Sequence, residues 1–119
     1  LWRQIDGNFA LEKPKVVVTI DMTLPQWTAP ATADKRLVNH WQNYILALRK
    51  HENGHALIGT QAARDIEQKL LALPRVPTAD ALKELAESTC QQVLIEARAK
   101  EKKFDKKTDH GMNDGARFP

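Results

Sequence analysis

A helix-rich α+β fold is what this 119-residue sequence predicts: a long helix packed on a second helix, with a small β-strand region at the N-terminus. Three observations carry the prediction. Every second side chain across residues 15–24 is apolar, the period of a half-buried strand. From position 37 to position 70 apolar residues recur instead at steps of three and four, the helical period, with His51 and His55 holding the places between Leu48 and Ile58. Two prolines, Pro74 and Pro77, then interrupt that pattern before it resumes.

Taken in order, Leu1 to Ala10 could supply a first short strand, with Asp6-Gly7-Asn8 as a turn signal. Lys15 to Leu24 reads as a strand, with Val16, Val18, Ile20, Met22 and Leu24 set against Val17, Thr19, Asp21 and Thr23. Pro25, Pro30 and Trp27-Thr28-Ala29 end it in a loop. From Thr32 or Asp34 to Leu73 the stripe Leu37, Trp41, Tyr44, Leu48, Ile58, Ala62, Ile66, Leu70 predicts one long helix, or two broken near Gly54 or Gly59. Thr78 is a good N-cap for a second helix from Ala79 to about Lys103, with Leu82, Leu85, Thr89, Val93 and Ala97 inward. Phe104 to Pro119, broken by glycines and proline, reads as irregular.

Composition sets the outer bounds. An apolar content of 42% and a charged content of 28% belong to a globular chain, and a single domain over residues 1–119 is expected. The chain opens on Leu1 rather than methionine, so an upstream segment is expected to precede it. No stretch is apolar for long enough to span a bilayer, and stable membrane insertion is not expected. The net charge is +3 with a pI near 9.1, much of the excess lying in Arg98–Lys107. That run lacks the interleaved aromatics of a stacking surface, so it reads as a solvated basic face, with no nucleic-acid partner. The lone Cys90 forms no intrachain disulfide and, among Ala86, Val93 and Leu94, reads as a structural thiol.

The chemistry is concentrated in His51-Glu52-Asn53-Gly54-His55. Residues four apart on a helix lie one above the other, so His51 and His55 can reach one ion at the roughly 2.0–2.1 Å of a Zn–N bond. Glu52 lies about 100° further round, where a carboxylate can hold the metal's water without ligating the metal. A His-Glu-x-x-His match arises by chance in about one such sequence in a hundred, so its position matters more than the match. Both histidines continue the inward stripe, where two neutral imidazoles need partners that a metal would supply. Gly54, at about 1 kcal/mol of lost helix propensity, needs a reason such as the close approach of another segment. His40 reads as a surface residue.

A catalytic zinc keeps three protein ligands and one position for water, so a third ligand must come from elsewhere. A histidine at position 61 would make a metzincin, but that residue is Gln61. A glutamate on the next helix is a second solution, with Glu84, Glu87 and Glu96 available and Glu96 best placed; an aspartate is a third. The tail holds a denser cluster, Phe104-Asp105-Lys106-Lys107-Thr108-Asp109-His110-Gly111.

Here the sequence resembles a known family. The run Trp41-x-x-Tyr44-x-x-Ala47-Leu48-x-x-His51-Glu52-x-Gly54-His55 is followed by Ala62-Ala63 and Ile66. Together with Asp105-x-x-Thr108-x-His110-Gly111 and Gly115-Ala116-Arg117-Phe118-Pro119, it is similar to a bacterial family of unknown function described as predicted secreted zinc-dependent proteases. The resemblance covers Lys15 to Pro119 and implies a zincin-like fold, a bound Zn2+, and a secreted or periplasmic setting. It departs at Asp114, where a glutamine is expected, and in lacking a cysteine ahead of the first strand. For the third ligand the first choice is His110, an unconditional zinc ligand with Gly111 behind it to allow a sharp backbone path; Asp105 comes next, as a ligand or as the carboxylate that orients a ligating imidazole, and Glu96 after it.

The function expected is that of a zinc metallopeptidase with Glu52 as general base and a peptide or protein substrate. The 15–24 strand would offer an edge for main-chain alignment of that substrate. Tyr44 or Thr108 would donate to the oxyanion, or Thr108 would support the loop. Two other classes compete: a zinc-stabilised binding or scaffold domain with a closed four-ligand site, and a metal-free helical interaction module.

Overall fold

The computed structural model, which describes residues 2–118, is an α+β arrangement of two long helices and a two-stranded N-terminal sheet. The elements are β1 (Trp2–Ile5), β2 (Asn8–Leu11), α1 (Lys35–Leu71) and α2 (Ala79–Thr108), followed by a 3-10 turn at Met112–Asp114. The N-terminal turn signal produces a hairpin. β1 and β2 pair antiparallel from Trp2↔Leu11 to Ile5↔Asn8, through a two-residue turn in which Asp6 and Gly7 both have positive φ, 50° and 80°.

Local chemistry explains where the helices begin and end. The Asp34 carboxylate accepts the backbone N–H of Arg36 at 2.8 Å, capping α1, and the Thr78 hydroxyl accepts that of Ala81 at 3.1 Å, capping α2. Pro74 and Pro77 lie between them, where the helical hydrogen-bond ladder cannot continue. α1 is unbroken through Gly54 and Gly59. α2 runs five residues beyond its predicted end at Lys103, and this extension carries Asp105 and Thr108 onto a helix rather than into a loose tail.

Residues 15–24 differ from expectation, since they form no strand. A strand needs a ladder partner, and the hairpin does not provide one. β2 instead bridges to the interhelical loop, with Phe9 and Val76 exchanging N–H···O bonds of 2.7 and 2.9 Å. The alternation is a matter of packing: Val16 lies against the helical core while Val17 is 72% exposed.

The chain divides into two compact units, Leu1–Thr19 with Gly59–Ala99, and Ile20–Ile58 with Lys100–Pro119. The first has its core in Ala62 and Ile66 of α1 and Val93 of α2, with Val16, Leu70, Cys90 and Ala97 packed on it. Burying an aliphatic side chain as completely as Val93 contributes about 1.5–3 kcal/mol. Cys90 is thus a half-buried packing residue there. The second unit holds an aromatic cluster in which the Trp41 ring meets Trp27, Tyr44 and Phe118 at centroid distances of 5.8, 5.6 and 5.2 Å. Arg98, Lys100, Lys102, Lys103, Lys106 and Lys107 are all exposed along α2. No helix among the described residues is long and apolar enough to cross a membrane.

Candidate metal centre

The second unit brings the chemistry-bearing residues together. His51 and His55 occupy successive turns of α1, and their rings meet edge to face at 4.9 Å. From α2, the Asp105 carboxylate reaches between them: Oδ1 lies 3.0 Å from His51 Nε2 and 2.7 Å from His55 Nε2. One ligand atom from each of the three residues falls within 4.8 Å of the others, a group that could hold a metal ion. His51 is buried at 5% exposure, and the Asp105 side chain remains partly open.

Phe104 is the wedge that sets this geometry. Its ring stacks on His51 at 4.8 Å and 9°, and meets His55 edge on at 5.0 Å. Gly54 makes room for it, since a Cβ there would lie 2.9 Å from Phe104 Cε1 and closer still to Cζ. The glycine inside the motif thus has the reason expected of it. Phe104 itself was not among the predicted site residues. The signal was present nonetheless, because Phe104 and Thr108 extend the inward series Val93, Ala97 by helical steps.

Beyond Thr108 the backbone reverses through three successive left-handed residues, Asp109, His110 and Gly111, with φ of 49°, 54° and 88°. The His110 N–H donates to the Asp105 carbonyl at 2.9 Å, closing the helix end. This reversal returns Gly111 to the site, where a Cβ would stand 2.9 Å from His51 Cγ. Only a residue without a Cβ fits. Thr108 is 7% exposed, and its hydroxyl donates to the Phe104 carbonyl at 2.8 Å, accepts the Gly111 N–H at 3.2 Å, and lies 3.4 Å from His51 Nδ1. Its proton is committed to the backbone, so it supports the loop rather than offering an oxyanion a donor.

His110, the first choice for third ligand, is not brought into the group. Its side chain is 74% exposed, with Nδ1 3.7 Å from Asp105 Oδ2. The reason is the extended α2: Asp105 lies on its inward face, while His110 lies past its end. Glu96 is also outside the group, exposed and accepting a hydrogen bond from Gln92 at 3.2 Å. Glu52 is half-buried on α1 beside His51, and His40 is exposed as expected. Tyr44 packs against Trp41 and Phe118 and lines an open hollow with Met112, Ala116, Arg117 and Phe118.

Burial of the Asp105 carboxyl pushes its pKa up, but hydrogen bonds from His55 and His51 and the nearby histidine charge outweigh this and hold it below its ordinary value. Ionised, it can accept from or ligate whatever the two imidazoles present. The donor set of two imidazoles and one carboxylate suits a divalent transition metal.

Comparison with curated proteins and with solved structures yields no match. A family model does match, over residues 1–111, a span that takes in His51, Glu52, His55, Asp105, Thr108 and His110. The chain belongs to the family described as "Bacterial protein of unknown function (DUF922)".

Proposed function

We propose that this protein is a zinc-dependent hydrolase, a metallopeptidase that holds its metal through His51, His55 and Asp105. The observation that carries the reading is the convergence of those three ligand atoms within 4.8 Å, two of them from the His-Glu-x-x-His pair. In a tetrahedral site with bonds near 2.0–2.1 Å, neighbouring ligand atoms stand about 3.3 Å apart. The observed 3.0 and 2.7 Å spacings from Asp105 Oδ1 need to open by well under an ångström to match it.

Zinc bound there would acidify a water toward neutrality and polarise a substrate carbonyl. Glu52 takes the proton of the attacking water and passes it to the leaving amine. Tyr44, at the hollow, is the candidate donor to the oxyanion. Alignment of a peptide on an edge at residues 15–24 falls away, because no strand forms there. The peptide substrate and the secreted or periplasmic setting follow from the motif and the family resemblance, and go with this proposal. Protein purified without chelator should carry about one zinc per chain. Glu52→Gln should keep that zinc and lose peptide hydrolysis; turnover equal to the unmutated protein's would refute Glu52 as the base.

The competing reading is a zinc-stabilised binding domain with a closed site. What favours it is His110, whose Nδ1 lies only 3.7 Å from Asp105 Oδ2 and could close on the metal as a fourth ligand. X-ray absorption on the zinc form separates the two, since three protein ligands plus water indicate the enzyme and four protein ligands the scaffold.

A further inference from the structure

We infer that Thr108 is the positioning residue of this centre: its hydroxyl takes the Nδ1–H of His51 and leaves the Nε2 lone pair of that ring to the metal. The inference deepens the zinc reading, and its consequence for metal affinity rests on that reading.

A threonine hydroxyl has one proton to give and two lone pairs to receive with. Around Thr108 Oγ1 stand the Phe104 carbonyl at 2.8 Å, the Gly111 N–H at 3.2 Å and His51 Nδ1 at 3.4 Å. A carbonyl only accepts and an amide N–H only donates, so the first takes the hydroxyl proton and the second fills one lone pair. The much shorter distance to the carbonyl places the proton on that side. Nδ1 can then meet the hydroxyl only as a donor, through the remaining lone pair.

The ring cannot turn to escape this assignment. Phe104 covers one face of it at 4.8 Å, and Gly111 approaches so closely that a Cβ would stand 2.9 Å from Cγ and 3.0 Å from Cβ of His51. With Nδ1 held by Thr108, Nε2 faces Asp105 Oδ1, 3.0 Å away. Two acceptors that close repel each other unless a cation or a proton lies between them. In the metal-free protein the hydrogen bond between His51 and Asp105 supplies that proton, and a metal at the point where His55 Nε2 also converges, 2.7 Å from the same oxygen, would take its place. A ligating histidine fixed through its other nitrogen is how proteins set the tautomer at a metal.

The test uses the whole chain with 15N-labelled histidine, as Thr108 protein, Thr108→Ser and Thr108→Val, each metal-free and with zinc alone added. His51 Nδ1 should give a proton-bearing signal in the unmutated and Thr108→Ser proteins, and zinc should attach at Nε2. Thr108→Val should lose roughly 10–100-fold in zinc affinity, with Thr108→Ser recovering most of it. An unprotonated Nδ1 in the unmutated protein overturns the inference, as does a Thr108→Val protein that binds zinc as tightly as the parent. If Thr108→Val does not fold, the Nδ1 signal and the Thr108→Ser affinity still decide. Failure of the unmutated protein to take up zinc refutes the zinc reading, while a proton-bearing Nδ1 in that sample would still uphold the Thr108 hydrogen bond.

Discussion

Replacing Gly54 with alanine gives a change whose sign the structure determines. In an open helix the substitution stabilises by about 1 kcal/mol, because alanine loses less backbone freedom on folding. At this position the new methyl would lie 2.9 Å from Phe104 Cε1 and 3.1 Å from Cε2. Such overlap must be relieved by moving the ring, and the ring is held by its stack on His51 and its edge contact with His55. Overpacking of this kind costs about 1–3 kcal/mol, so the net effect should be a loss of up to about 2 kcal/mol. In a Phe104→Ala background the obstacle is gone, and the same Gly54→Ala change should stabilise by about 1 kcal/mol. The coupling between the two positions is then about 1–3 kcal/mol, large for a pair of side chains in contact. Urea unfolding of the four proteins in excess chelator measures it with the metal contribution removed. A Gly54→Ala protein more stable than its parent, or equal effects in the two backgrounds, would refute the account of Phe104 as a wedge seated on this glycine.

Two further outcomes follow from Asp105. Asp105→Ala should weaken zinc binding by more than the roughly 100-fold expected from losing a mere supporting partner, while His110→Ala should stay within about tenfold of the parent. Calorimetric zinc titration of both gives the order, and the reverse order would hand the ligand role to His110. In the metal-free protein the carboxyl of Asp105 is held below its ordinary value, against the upward push of burial, chiefly by His55 and His51. The sign follows by linkage: stability from this carboxylate is fully present above the unfolded value near 3.9 and is lost as pH falls through the lower folded value. The stability gap between the parent and Asp105→Asn, followed by chemical denaturation from pH 5 downward, should therefore narrow; a gap that widens over that window would contradict the assignment.

What could be read ahead of the structure, and what could not, divides along the range of the interactions involved. The bounds of α1 and the start of α2 rest on Asp34, Thr78, Pro74 and Pro77, residues that act on neighbours two or three positions away, and they were legible. Whether residues 15–24 become a strand depends on a partner elsewhere in the chain, and no alternation within ten residues can report that partner's absence. The end of α2 is the instructive case. Lysine favours helix, and Phe104 and Thr108 keep the inward period, yet glycines further on made the whole tail look irregular.

That misplaced helix end also explains the choice between His110 and Asp105. In a loose tail, ligands compete on chemistry alone, and a histidine outranks an aspartate. On a helix they compete on position. Residues three apart sit one turn along the same face, and Asp105 and Thr108 are such a pair. An imidazole carries its two nitrogens on different edges, so a ring lying against that face can present Nε2 to one residue of the pair and Nδ1 to the other. His51 does so, at 3.0 Å from Asp105 Oδ1 and 3.4 Å from Thr108 Oγ1. The Asp-x-x-Thr spacing is thus intelligible as helical geometry fitted to one histidine ring. His110, two residues further on and in left-handed backbone, lies off that face.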